Sequence, residues 1–433
     1  MSAAIQPHGE IKSEAVGSKV FKVDAFKNPV LPDDQRLALE AEEVQPLDMS
    51  VNAVLAAAQA RTGLADFGPR DFEDRLGRLL GEVEADANVW RRYKATFVEQ
   101  CVGAAANRLR NQDFLKAHPQ VQDQKIDRPI IIVGLPRSGS THLENLIGAD
   151  RRLKHLPVWL GYQATPQPGE TAGPDGRDPR WVRSQQRWER MRSNPIMEAM
   201  HEHSPDHACG ENELQIPDFA TYQWEWMADA PKWRDFYYAE DQTPHYAYGR
   251  TILQAIALQF PDERRWMMKG NQHSEQLLAL NNIYPDATIV MNHRDPVAIL
   301  QSVLTMRGMY VLASQKRPDV AGHVAYWTDR IERMLWTYIR DMDTVPKSRR
   351  VDLMFQDIMA DDIGAAGQVL EAAGLPVTAD SVQDLKDYME HHPRGRAGRV
   401  VYDLEGNFGL DVRALRERFA FYTDRFPVKH EVK

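Results

Sequence analysis

Residues Gly134-Leu135-Pro136-Arg137-Ser138-Gly139-Ser140-Thr141 have the spacing of a loop that wraps a phosphate. Glycines at its two ends let the backbone turn its N–H groups toward an anion, and hydroxyls past the second glycine add donors. In loops that bind nucleoside triphosphates, a lysine follows that second glycine and meets the β,γ end together with magnesium. Here Ser140 takes the lysine position and the single cation is Arg137. Pro136, Arg137, Ser138, Gly139, Ser140 and Thr141 therefore suit a less charged 5′-phosphate group held without a metal. A second anion site is legible at Asn292-His293-Arg294-Asp295-Pro296. Asp295 is a good helix cap and Pro296 a good first helical residue, which leaves Arg294 at a strand's carboxyl end, where open α/β sheets bind ligands. Ser302 follows about two helical turns later and reaches toward the same place. Together the two sites suit a nucleotide with two separate phosphates.

These residues need a sheet edge to hold them. Ile130-Ile131-Ile132-Val133 is a β-branched run bounded by Pro129 and Gly134, the pattern of a strand buried on both faces. Trp266-Met267-Met268, Ala287 to Met291 and Val351 to Phe355 are three further strand candidates, separated by helical stretches. The sum predicts a mostly parallel sheet covered by helices. Ahead of it, Phe72, Leu76, Leu79, Leu80 and Val83 recur at helical spacing, and a second helix is expected from about Val89 to Leu115. The organisation read from this is a flexible arm over 1–45, a helical extension over 46–125, and an α/β domain over 126–433. Within the last, residues 180–250 form an insertion dense in Trp, Tyr and Met.

The chain of 433 residues is 43% hydrophobic and 27% charged, which is ordinary globular composition and excludes wholesale disorder. Its net charge of −9 argues against a general nucleic-acid or anionic-membrane binder. Two distant cysteines, Cys101 and Cys209, make neither a disulfide framework nor a thiolate metal site. No signal-peptide or membrane-spanning pattern is evident, so a cytoplasmic protein is expected. His201, His203 and His207 could be mistaken for a metal cluster, but Pro205 interrupts the helix that their spacing would need, and no metal is expected.

The paired phosphate sites resemble those of the sulfotransferases that use 3′-phosphoadenosine 5′-phosphosulfate (PAPS), and more closely a bacterial branch of that superfamily. The resemblance runs from about Leu47 to Phe426. It includes Ala60-Arg61-Thr62-Gly63-Leu64, Trp266 to Lys269, Phe355-Gln356-Asp357-Ile358, and the tail from Gly395-Arg396 to Phe408-Gly409-Leu410. It implies a P-loop-like, mostly parallel sheet flanked by helices, with a helical N-terminal extension. It also implies that Gly134 to Thr141 hold the 5′-phosphosulfate and that Arg294 and Ser302 hold the 3′-phosphate. PAPS would be the sulfuryl donor, and the acceptor a hydroxyl of a small molecule, lipid or glycan. Gly270-Asn271 departs from the family, which has Ser-Pro there.

Sulfuryl transfer needs cations at the departing phosphate oxygen and a base for the acceptor proton. Arg137 and Lys269 are the candidate cations. His273, four residues after Lys269, and Glu211 are the candidate bases, with Glu213 and His201 behind them. A histidine needs little tuning near pH 7, whereas a glutamate benefits from partial burial. Arg394, Arg396 and Arg399, loosened by Gly395 and Gly398, form either a lid over the 3′-phosphate or a solvated basic tail. The aromatics of the insertion either build a pocket for a ring-bearing or glycan acceptor or pack a small core of their own. Two rival readings are a P-loop kinase or NTPase, disfavoured by Ser140, and a non-catalytic nucleotide-binding protein on the same fold.

Overall fold

The computed structural model describes residues 19–27 and 29–432. These form seven strands: β1 (Val20–Lys22), β2 (Ile130–Ile132), β3 (Leu153–His155), β4 (Arg265–Lys269), β5 (Thr288–His293), β6 (Arg350–Met354) and β7 (Arg399–Val401). Five of them make one sheet in the order β3-β4-β2-β5-β6, and every neighbouring pair is parallel. The isoleucines of central β2 are fully buried, and their alternation explains why an unbroken apolar run was needed. Ile131 packs into one helix-covered core while Ile130 and Ile132 pack into the other, on the opposite face. The fold is α/β, a parallel sheet flanked by helices.

Register decides what shares the sheet's carboxyl edge. Ile132 stands beside Lys269 of β4 on one side and Val290 of β5 on the other. The loop after β2, the end of β4 and the turn after β5 therefore meet at one edge, the usual place for a ligand in such sheets. Asp295 accepts a hydrogen bond from the Val297 N–H at 3.0 Å and starts the helix Pro296–Ser314. Among the described residues this helix alone is long and apolar enough to cross a membrane. Its most apolar stretch is 67% buried inside the protein, as a core helix would be.

Ahead of the sheet lie α1 (Asp33–Glu42), α2 (Val51–Thr62), α3 (Phe72–Ala85) and α4 (Arg91–Ala117). Ser50 caps α2 by accepting from the Ala53 N–H, and Gly63 ends it. The expected stripe of α3 is buried against Phe97, Cys101, Ala105 and Leu109 of α4. Part of the stretch expected as a loose arm is in fact folded. β1 pairs with β7, and Phe21, Val23 and Phe26 bury their side chains beside Ile196 and Met200. Apolar burial at these few positions outweighs the polar composition around them.

Between β3 and β4 the chain adds, among other turns, α6 (Val158–Tyr162) and α7 (Pro179–Met191); α5 (Ser140–Gly148) follows β2. The insertion's aromatics mostly pack rather than line a pocket. Trp224, Trp233 and Tyr237 are buried in the same core as α2, α3 and α4. A buried carboxylate ties the two regions together: Asp218 accepts from Arg75 at 3.0 Å and Arg108 at 2.8 Å, and lies 2.5 Å from His245 Nδ1.

Candidate active site

The anion loop is fixed from below by Asn292 of β5. Its amide donates to the Ser138 carbonyl and hydroxyl at 2.8 and 2.9 Å. Its Oδ1 would lie 1.6 Å from a Cβ on residue 134, so only glycine fits there. Ser138 is correspondingly lost to ligand contact through its side chain: fully buried, its hydroxyl donates to the Leu135 carbonyl at 2.6 Å. Arg137 takes a left-handed backbone, φ 65°, which is uncommon for a side-chain-bearing residue and marks a position fixed by its surroundings. Pro136, Arg137, Gly139, Ser140 and Thr141 border a cleft of about 660 Å³ at the start of α5.

Lys269, at the end of β4, lines the same cleft and donates to the Thr141 hydroxyl at 2.9 Å. Behind it, 3.6 Å away, Glu144 is fully buried, and burial pushes its carboxyl up to about 7 despite the lysine. Asn271, part of the departure after Lys269, donates to the Gly134 carbonyl at 2.7 Å and so braces the loop. Arg294 also borders the cleft. Its guanidinium forks onto Glu431 at 2.7 and 2.8 Å, donates to the Arg137 carbonyl at 2.7 Å, and lies 4.0 Å above the Phe355 ring. Ser302 is buried behind these groups, accepting from Arg137 Nε at 3.0 Å and donating to the Tyr402 hydroxyl at 2.9 Å. Arg394 and Arg396 line the cleft and pair with Asp362 and Glu202. Arg399 does not join them, because it is held in β7 opposite Val20.

The two foremost candidate bases are not in the cleft. His273 has no exposed surface: its Nδ1 lies 2.7 Å from the Tyr246 hydroxyl and its Nε2 3.0 Å from Glu211. The His273 ring occupies the space that a side chain at residue 270 would need, with Nε2 2.2 Å from an added Cβ. Gly270 is thus the partner of an inward histidine, and both His273 and Glu211 are buried outside the cleft lining. Glu213, two residues past Glu211 on the same short helix, does border the cleft. Burial pushes its carboxyl up to about 7, with Arg187, a hydrogen bond from Gln223 and Lys269 pulling the other way.

His201, His203 and His207 also line the cleft. Burial and nearby cations hold all three below the ordinary histidine range, so they are neutral at pH 7. Among the described residues no group of three or more His, Cys, Asp and Glu is placed to hold a metal ion. Of the insertion's aromatics, Tyr222 and Trp226 reach the cleft; Tyr162 of α6 joins them, its hydroxyl 2.8 Å from His203 Nδ1. Arg187 and Tyr162 carry no sequence signal that sets them apart. Glu213 carries a faint one, its position beside Glu211.

A profile of the sulfotransferase family matches residues 129–380. No curated protein sequence matches the chain. Among solved structures, sulfotransferase STF9 from Mycobacterium avium is similar with a TM-score of 0.78 at 22% identity, covering 89% of this chain and 99% of that one. Sulfotransferase STF1 from Mycobacterium tuberculosis H37Rv is similar with a TM-score of 0.73 at 25% identity, covering 86% and 98%. The profile spans more than half of the 433 residues and includes the anion loop, Lys269 and Arg294, so the chain belongs to the sulfotransferase family.

Proposed function

We propose that the protein transfers a sulfuryl group from PAPS to a hydroxyl group of an acceptor bound in the same cleft. The observation that carries this reading is the meeting, at one sheet edge, of a lysine-free anion loop, Lys269 on the loop's Thr141, and Arg294 from the next strand end. Separated cations of this kind suit a nucleotide with a phosphate group at each of two positions. Two details support the fit. Arg137 has no carboxylate partner among the described residues, and its bonds go to Ser302 and the Met200 carbonyl. The fork of Arg294 holds a carboxylate, Glu431, whose two oxygens stand in for the phosphate oxygens that a guanidinium takes equally well.

The donor supplies the sulfuryl group: its bond from sulfur to the 5′-phosphate oxygen breaks as the acceptor oxygen bonds sulfur, and 3′-phosphoadenosine 5′-phosphate (PAP) keeps the electron pair. The protein's part is to hold and to move a proton. Loop N–H groups with Ser140, Thr141 and Arg137 grip the 5′ end, and Arg294 with Arg396 grips the 3′-phosphate. Ser302, expected there from the sequence, lies buried outside the cleft lining and braces Arg137 from behind. Lys269 stands at the loop and steadies the charge that grows on the departing oxygen. Glu213 takes the acceptor proton, since a carboxyl titrating near 7 is suited to general-base work at neutral pH. Glu202, also in the cleft, is committed to Arg396 and is held low.

Incubation with PAPS and a panel of hydroxylated ring compounds and glycans tests the reading by mass spectrometry. A product heavier by one sulfuryl group, formed together with PAP, is expected. Magnesium-dependent hydrolysis of ATP with no sulfated product would replace this reading with the kinase one.

A further inference from the structure

The cleft lining carries a cation on α7 that forms no ion pair with a carboxylate among the described residues. Arg187 lies on the exposed side of α7 and borders the cleft, its guanidinium 4.0 Å from the centre of the Tyr162 ring. A guanidinium over a ring gives its flat face to the aromatic and leaves its N–H edge for an acceptor. No carboxylate or carbonyl among the described residues takes up those hydrogens. Of the other arginines of α7, Arg180 is paired with Asp178 and Arg183 with Glu170, and Arg190 does not border the cleft. Elsewhere in the cleft lining, Arg294 is paired with Glu431 and Arg396 with Glu202.

The surroundings say what kind of molecule this cation faces. Met200, Met227 and Trp226 give the same cleft an adaptable apolar wall. Glu213, which lines the same cleft, feels the positive charge of both Lys269 and Arg187. With a net charge of −9 the protein repels anions at long range, so an anion entering here needs a local cation to receive it.

Resting on the sulfotransferase reading above, we propose that the acceptor is itself an anion: a hydroxylated compound with an apolar body, whose carboxylate or phosphate pairs with Arg187 while its hydroxyl meets Glu213. Arg187 is then the residue that sets acceptor specificity, and uncharged alcohols of the same shape are poor substrates.

Matched pairs test this: aromatic hydroxy acids against their amides, and hydroxylated phosphate monoesters against the parent alcohols. Each is titrated calorimetrically into the full chain loaded with PAP. In the wild type, the anionic member of at least one pair is expected to bind about 10–100-fold more tightly than its neutral partner, the range of a charge-assisted hydrogen bond. The carboxylate and phosphate arms tell which anion is preferred. Arg187→Gln should erase the gap, Arg187→Lys should keep part of it, and Arg187→Glu should reverse it. PAP affinity should stay at the wild-type level in all three and the melting temperature should fall only slightly, because the exposed guanidinium gives up its contact with the Tyr162 ring and no ion pair. Failure of PAP to bind would count against the donor reading, and the pairs would then be titrated into the free protein, where the same gap is expected. Equal affinity within every wild-type pair, or a gap that survives Arg187→Gln, would overturn the proposal.

Discussion

Chemistry at residue scale turns on which acidic or imidazole group can touch an acceptor. Glu213 borders the cleft, whereas His273 and Glu211 face each other beneath it. Glu213→Gln should lower turnover about 10²–10⁴-fold with PAP affinity kept. Its carboxyl, pushed up to about 7, is protonated and idle below that pH and able to accept a proton above it. The wild-type rate should therefore climb with pH through about 7 and level off, and Glu213→Gln should lose that limb; a pH–rate profile reads both. His273→Ala should instead lower stability while turnover per folded molecule stays within about tenfold, below the range for loss of a general base. A profound loss of turnover in stably folded His273→Ala would return the base to that residue. The place of the glycine loop between β2 and α5, and of Arg294 after β5, was legible in the sequence because a loop that turns its backbone N–H groups outward must have glycines at set intervals. That Glu213 rather than Glu211 borders the cleft was not legible, because it depends on which side of a short helix faces the cleft.

Elements position these groups through a few close contacts. The loop sits on Asn292, and the turn after β4 closes over His273 only because residue 270 lacks a side chain. Gly270→Ala should cost about 1–3 kcal/mol from overpacking. The double variant Gly270→Ala, His273→Ala should recover part of that cost relative to the sum of the singles, in a denaturation cycle. Simple additivity would mean that the contact with His273 is not the reason for the glycine. Strands β2, β4, β5 and β6 were readable as apolar runs of the right length, within a residue or two. Strands β1, β3 and β7 were missed because three residues without an unbroken apolar run carry too little pattern to stand out, and the pairing of β1 with β7 is set by contact between chain ends far apart in sequence.

For the whole molecule, the helices ahead of the sheet are part of the site's support. Asp218 ends the short helix that carries Glu213, and it is held by Arg75 of α3 and Arg108 of α4. Asp218→Ala leaves two buried guanidinium groups short of a carboxylate and should destabilise the protein by about 3–5 kcal/mol, seen as a lower denaturant midpoint. Composition gave no hint of this, since a buried ion cluster looks like any other charged residues until the chain is folded. The central claim is that one cleft holds a nucleotide by two separate phosphate groups. Its most direct test is calorimetric titration of PAP and of adenosine 5′-monophosphate, without magnesium, into the wild type and Arg294→Ala. PAP should bind the wild type one-to-one, and loss of either the 3′-phosphate or Arg294 should weaken binding by about 1.5–3 kcal/mol, with little further loss when both are gone. Equal affinity for the two nucleotides in the wild type, or tight binding of ATP with magnesium in place of PAP, would contradict it.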